Sequence, residues 1–138
     1  VFGRSLERTL GAGTTCALFV ATAVAAALAQ AATDPSSAVP VIGASGGISG
    51  LLGAYLVRFP RAEVEVLVPV LVVMQVVQLP AWLLLIGWFG LQLGLEWATP
   101  AGSAGIAFRA HIGGFVAGSL LMLLYLPLAR RWARPATA

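Results

Sequence analysis

Ser45 stands in Val41-Ile42-Gly43-Ala44-Ser45-Gly46-Gly47-Ile48-Ser49-Gly50-Leu51-Leu52-Gly53, among five glycines at the start of an apolar run. The only histidine of the chain, His111, stands in Ala110-His111-Ile112-Gly113-Gly114-Phe115-Val116-Ala117-Gly118. A serine hydroxyl is a weak nucleophile until a base takes its proton, and imidazole is the side chain best suited to do so near neutral pH. Acyl transfer is the chemistry such a pair could do. It also needs donors for an oxyanion, and Ser45 at a helix start offers its own backbone N–H and the positive helix end. A third, orienting carboxylate is not evident among Glu7, Asp34, Glu63, Glu65 and Glu96, so the expectation is a Ser45–His111 dyad.

Spacing supplies a way to bring the two together. Gly43, Gly46, Gly50 and Gly53 recur at i, i+3, i+7 and i+10, one bare stripe on a helix. His111, Gly114 and Gly118 share a face at i, i+3 and i+7. Small face against small face would carry Ser45 toward His111. Each piece also has a plainer reading: glycine stripes in membrane helices are commonly packing seams, and a lone intramembrane histidine can be structural or part of a proton path. The segment from Gly43 to Gly47 fits the G-x-S-x-G elbow of soluble hydrolases as well, but that elbow follows a strand in an alternating α/β chain, and no such alternation is present.

The elements that must position these residues lie in a membrane. The chain is 138 residues long, 59% hydrophobic and 9% charged, with a mean hydropathy of +0.95, whereas about a quarter of the residues of a soluble domain are charged. No polar linker divides it, so residues 1–138 read as one domain. The net charge of +3 arises from arginines at connections and helix ends, a pattern that concerns orientation and excludes nucleic acid as the partner. Cys16 lies in an apolar run with no second cysteine to pair with.

Four helices are expected, at about residues 12–32, 45–59, 75–95 and 107–128. Residues 1–11 read as a connection into the first. That first segment exceeds the apolar core of a signal peptide and, at ~1.5 Å per residue, can cross a hydrocarbon layer of about 30 Å. The second is short of a full crossing, which implies a protein-lined cavity around Ser45, because lipid cannot satisfy a dipping loop. Residues 66–74, β-branched around Pro69, read as an interfacial extended segment. Glu96 and Trp97 read as an interface anchor. Arg4, Arg8, Arg58, Arg61, Arg130, Arg131 and Arg134 fall at one set of helix ends, and by the positive-inside rule that side is cytoplasmic. Ser45 and His111 then both lie toward the outer side.

With Gly43-Ala44-Ser45-Gly46 opening a short helix, and Ala110-His111 followed by Gly114 and Gly118, the chain resembles the C-terminal two thirds of a rhomboid intramembrane serine protease. Phe2-Gly3 with Glu7 and Gly11 resembles that family's connection after its second helix. The resemblance implies an all-α membrane protein, about four transmembrane helices of a six-helix bundle, as a multi-pass protein of a bacterial-type plasma membrane. It implies a serine endopeptidase cutting membrane-spanning protein substrates in the lipid bilayer, with Ser45 as nucleophile, His111 as general base and neither metal nor cofactor. The third helix would be the mobile one. Two departures accompany it. The family's oxyanion histidine and asparagine lie on a second helix that this chain does not include, and the chain has no Asn; the isolated chain is expected to be inactive or nearly so. The tyrosine that many members carry one turn after the serine is Ser49 here, so the imidazole would be held differently. The rival readings are a non-catalytic rhomboid-like protein that binds transmembrane segments and a transporter fragment, the latter disfavoured by the lack of an internal repeat.

Overall fold

Alanine, the best helix former, dominates residues 12–33 with no proline to interrupt it, and the backbone follows. The computed structural model describes residues 2–33, 35, 44–70, 73–99 and 108–132. It contains α1 (Phe2–Leu10), α2 (Ala12–Thr33), α3 (Ser45–Arg58), β1 (Glu63–Val70), β2 (Val73–Pro80), α4 (Ala81–Ala98) and α5 (Phe108–Trp132). The fold is thus mostly helical. Three helices are long and apolar enough to cross a membrane: Ala12–Thr33, Ala81–Ala98 and Phe108–Leu128. At 14 residues α3 extends only ~21 Å.

Two sequence expectations are corrected. Residues 1–11 are not a plain connection: residues 2–10 form a helix that buries Leu6. Gly11, at φ 83°, ends it, donating its N–H to the Glu7 carbonyl at 2.8 Å. A left-handed residue at this point is the ordinary way to stop one helix and start another, and glycine adopts it without strain. The α1 face packs beneath the serine helix, with Phe2 edge-on to Tyr55 at 4.9 Å between centroids.

The second correction concerns the start of the third membrane helix, expected near residue 75. Residues 75–80 belong to a strand, and α4 begins at Ala81. Val73-Met74-Gln75-Val76-Val77 is rich in β-branched side chains that fit a pleated ribbon better than a helix. These residues pair antiparallel with β1, from Glu63 opposite Pro80 to Val70 opposite Val73. Pro69, opposite Met74, is tolerated because both strands of a two-stranded ribbon are edges. Pro80, at φ −65° and ψ 139°, then stands just before the helix, where its missing N–H is no loss. Within the extended segment expected over 66–74, the described residues 66–70 and 73–74 are strand, and the strands continue beyond it on both sides.

The core gathers Leu6, Ala54, Tyr55, Val64, Ala81, Leu85, Phe115 and Met122. Outward faces keep Val20, Val24, Leu28, Leu83, Leu91, Leu120 and Leu124 exposed, as expected of helices whose solvent is lipid. At the centre α3 is enclosed by α2 and α5, with Gly46, Gly47, Ser49, Gly50, Gly53, Ala54 and Tyr55 buried.

Candidate functional site

The closeness of α3 and α5 comes from residues that have no side chain to hold them apart. A Cβ added at Gly114 would run into the Gly46 carbonyl, and one at Gly118 into the Gly50 carbonyl. From the other side, a Cβ at Gly53 would overlap the Phe115 carbonyl. α2 closes the third side: Gly46 meets Ala26, Gly47 meets Phe19 and Gly50 meets Thr22. Thr22 is fully buried and its hydroxyl donates within its own helix to the Leu18 carbonyl at 2.9 Å, so it brings no unpaired polar group into the seam. Gly43 lies outside the described residues.

At one end of this seam, where α3 begins, Ser45 Oγ and His111 Nε2 are 2.9 Å apart. The two residues are 66 positions apart in sequence, and the seam between their helices is what brings them into hydrogen-bond reach. Ser45 is exposed at the first turn of α3. Ala44 precedes the helix, and among the described residues no side chain caps its N-terminus. The Ala44 carbonyl accepts from the Ile48 N–H at 3.0 Å, while the earlier N–H groups of the turn have no partner inside the helix. A bound anion or a developing oxyanion is the natural ligand for such groups.

The imidazole is held from a helix that does not carry the serine. Its Nδ1 lies 3.1 Å from Gln92 Oε1 of α4, and the Trp88 ring, one turn earlier, lies 6.2 Å away between centroids, tilted by 38°. Ser49 makes no contact of this kind: its hydroxyl, buried on α3, donates to the Ser45 carbonyl at 2.8 Å. Gln92 itself is buried. Sequence reading missed it, because the search was for a third carboxylate and Gln92 is an amide. The signal was present: Gln92 is the only polar side chain in the apolar run from Trp82 to Leu95, where an unpaired amide would be costly.

Glu96, read as an interface anchor, forms an ion pair with Arg109 Nε, and Arg109 Nη1 also donates to the Thr33 carbonyl at 3.3 Å. Arg109, at the start of α5, therefore ties the C-terminal ends of α2 and α4 to it. Trp97 stays exposed. Among the described residues no group of three His, Cys, Asp or Glu side chains is placed to hold a metal ion.

Fold and site together define a helical integral membrane protein whose central short helix carries a serine against a histidine of its neighbour. The family model of the Rhomboid domain matches residues 1–128, nearly the whole chain, and the chain belongs to the rhomboid family. Neither the curated proteins nor the solved structures give a match.

Proposed function

We propose that this protein is an intramembrane serine endopeptidase in which Ser45 is the nucleophile and His111 the general base. The observation that carries the reading is the 2.9 Å separation of Ser45 Oγ from His111 Nε2, at the unprotected start of a helix. Ser45 is exposed while the glycines behind it are buried, so an acyl group can reach the hydroxyl without entering the seam.

The chemistry follows from the geometry. Nε2 takes the Oγ proton as Oγ bonds to the scissile carbonyl carbon, whose π electrons move onto oxygen. The N–H groups of the first turn of α3, with its helix dipole, offset that charge. Collapse of the adduct breaks the C–N bond, and the proton on Nε2 passes to the departing amine. Water then repeats the sequence on the acyl-enzyme. Family membership and the three apolar helices favour polypeptides that span the bilayer as substrates. The distribution of arginines at helix ends favours an orientation with Ser45 and His111 toward the outer side.

The test is covalent labelling of the lipid-reconstituted chain with a fluorophosphonate, beside Ser45→Ala and His111→Ala. Among the described residues the oxyanion donors are backbone groups only. Losing one donor typically costs about 10²–10³ in rate, so slow labelling is expected. Ser45→Ala should remove it entirely, and His111→Ala should lower its rate by about 10³ or more. With the family's first two helices supplied upstream, a well-folded protein with no labelling above the Ser45→Ala background would instead favour a protein that binds transmembrane segments without cutting them.

A further inference from the structure

We infer that Gln92 is a positioning residue for His111, completing a Ser45–His111–Gln92 relay in which an amide oxygen on α4 fixes the tautomer of the imidazole. The inference rests on the catalytic reading of Ser45 and His111 for its purpose, though its structural content can be tested without that reading.

A neutral imidazole has one N–H and one lone pair, and the partner of one nitrogen decides what the other can do. The amide oxygen of Gln92 faces Nδ1 at 3.1 Å. A carbonyl oxygen only accepts, so Nδ1 must carry the proton, and the lone pair is left on Nε2, 2.9 Å from Ser45 Oγ. That tautomer can take the serine proton. The opposite one, with the proton on Nε2, could only donate to Oγ and would leave the hydroxyl unactivated. When the imidazole becomes charged during acyl transfer, the same Oε1 accepts from a cationic N–H, and such a bond is stronger than the neutral one it replaces.

Two further features make this more than a chance contact. Gln92 is buried on a helix whose neighbouring positions, Leu91 and Leu93, are exposed apolar residues, so a methionine or leucine would serve packing equally well, and the amide is explained by its partner. The residues flanking Gln92 by one turn also reach α5: Trp88 lies beside the His111 ring, and Glu96 pairs with Arg109. Trp88, Gln92 and Glu96, at i, i+4 and i+8, form one stripe of α4 directed at the start of α5. The tautomer of His111 therefore depends on α4 being docked. A chain in which α4 has moved away keeps its Ser45 and His111 on the α3–α5 seam but loses the group that orients the imidazole.

Because His111 is the only histidine, ring ¹⁵N NMR of the lipid-reconstituted chain reports it without assignment. At pH about 8, above the ordinary imidazole range, the wild-type ring should be protonated on Nδ1. Gln92→Met keeps the length and apolar packing while removing the acceptor, and should shift the ring toward the Nε2–H form that free histidine prefers. Gln92→Glu restores an acceptor oxygen and should restore Nδ1–H. In fluorophosphonate inactivation, Gln92→Met should lower kinact about tenfold with KI unchanged, and Gln92→Glu should recover most of it. A wild-type ring protonated on Nε2 overturns the proposal, and that measurement needs no variant to fold. A Gln92→Met chain with the wild-type tautomer also overturns it. Absence of labelling in a wild-type chain that shows the Nδ1–H ring, with the family's first two helices supplied upstream, would refute the protease reading and leave Gln92's positioning role intact.

Discussion

α5 is gripped by two neighbours in two different ways. Against α3 the contact is backbone to backbone: Gly114 and Gly118 lie on the carbonyls of Gly46 and Gly50, with no room for a Cβ. Against α4 the contact is side chain to side chain, through Phe89 stacked on Phe115 at 4.7 Å, Trp88 on the same ring at 5.8 Å, and the Gln92 and Glu96 partners near the start of α5. The first kind of seam has one register, because carbonyls and Cα atoms cannot change rotamer. The second can loosen one side chain at a time. Ser45 and His111 thus share the rigid seam, and Gln92, which lies against the imidazole, belongs to the looser one. Hydrogen exchange should resolve the difference: amides of α3 and the facing half of α5 should exchange more slowly than those of α4, and equal protection would remove the distinction.

The largest effect is expected from breaking the rigid seam. Gly118→Val places a branched side chain where the Gly50 carbonyl already lies, and neither backbone has another position while Thr22 stands behind Gly50. Overpacking of a well-filled core costs about 1–3 kcal/mol and occasionally more, and this site belongs at the upper end because backbone must move. Thermal unfolding in lipid nanodiscs should show the loss, and labelling of Ser45 should vanish with it. A variant that unfolds like the wild type would mean that the helices are farther apart than this contact allows.

Next comes the aromatic part of the looser seam. Phe89→Ala removes a stacked partner of Phe115 and should cost about 1 kcal/mol beyond its lost area. Its diagnostic feature is selectivity: α4 should lose exchange protection while α3 keeps it. Uniform loss over all helices would show that α4 is as integral to the bundle as the glycine seam. Smaller again is the Glu96–Arg109 pair. Both side chains are partly exposed, and such pairs contribute about 0–1 kcal/mol. Glu96→Gln should leave the unfolding temperature almost unmoved, while easing the C-terminal end of α4 enough to raise exchange near Gln92.

What the sequence made legible divides along the same line. The α3–α5 seam is written in residue spacing, because Gly46, Gly50 and Gly53 on one helix and Gly114 and Gly118 on the other recur at three or four residues and leave no Cβ in the way, and spacing survives reading without coordinates. Ser45 and His111 were found for that reason. The α4 contacts are written in single side chains whose partners lie on another helix: nothing in Gln92 says which group it bonds, and nothing in Glu96 distinguishes an ion pair with Arg109 from an anchor at the interface. The hairpin shows a different difficulty. Residues 63–80 are valine-rich and apolar like the helices around them, and a short apolar run cannot be sorted into strand or helix by periodicity alone. The pairing of residues 63–70 with 73–80 decides it, and pairing is a property of two segments. The helix at residues 2–10 was missed because its charges resemble those of a connection, whereas Leu6 and its neighbours Phe2 and Leu10 mark a face that only the α3 side chains reveal.

The smallest expected effect is the most discriminating for the comparison, because it holds the chemical change fixed and varies only the seam. Gly94→Ala and Gly118→Ala each add one methyl group to the middle of an apolar helix. At Gly94, as at Gly87 and Gly90, an added Cβ meets nothing within 4 Å among the described residues. Alanine is also the better helix former by roughly 0.8–1 kcal/mol in water, so Gly94→Ala should be neutral or slightly stabilising. At Gly118 the same methyl overlaps a carbonyl that cannot rotate aside, and the gain in helix propensity cannot offset that overlap. The difference between the two unfolding temperatures therefore isolates the steric term of the α3–α5 seam from backbone entropy, which is nearly common to both. If both substitutions are neutral, the glycines of α5 are not what sets the Ser45–His111 distance, and the bundle must be held by the aromatic contacts of α4. If both are strongly destabilising, α4 is packed on a second face against residues outside those described, and its looser grip on α5 would not mean that it is free to move.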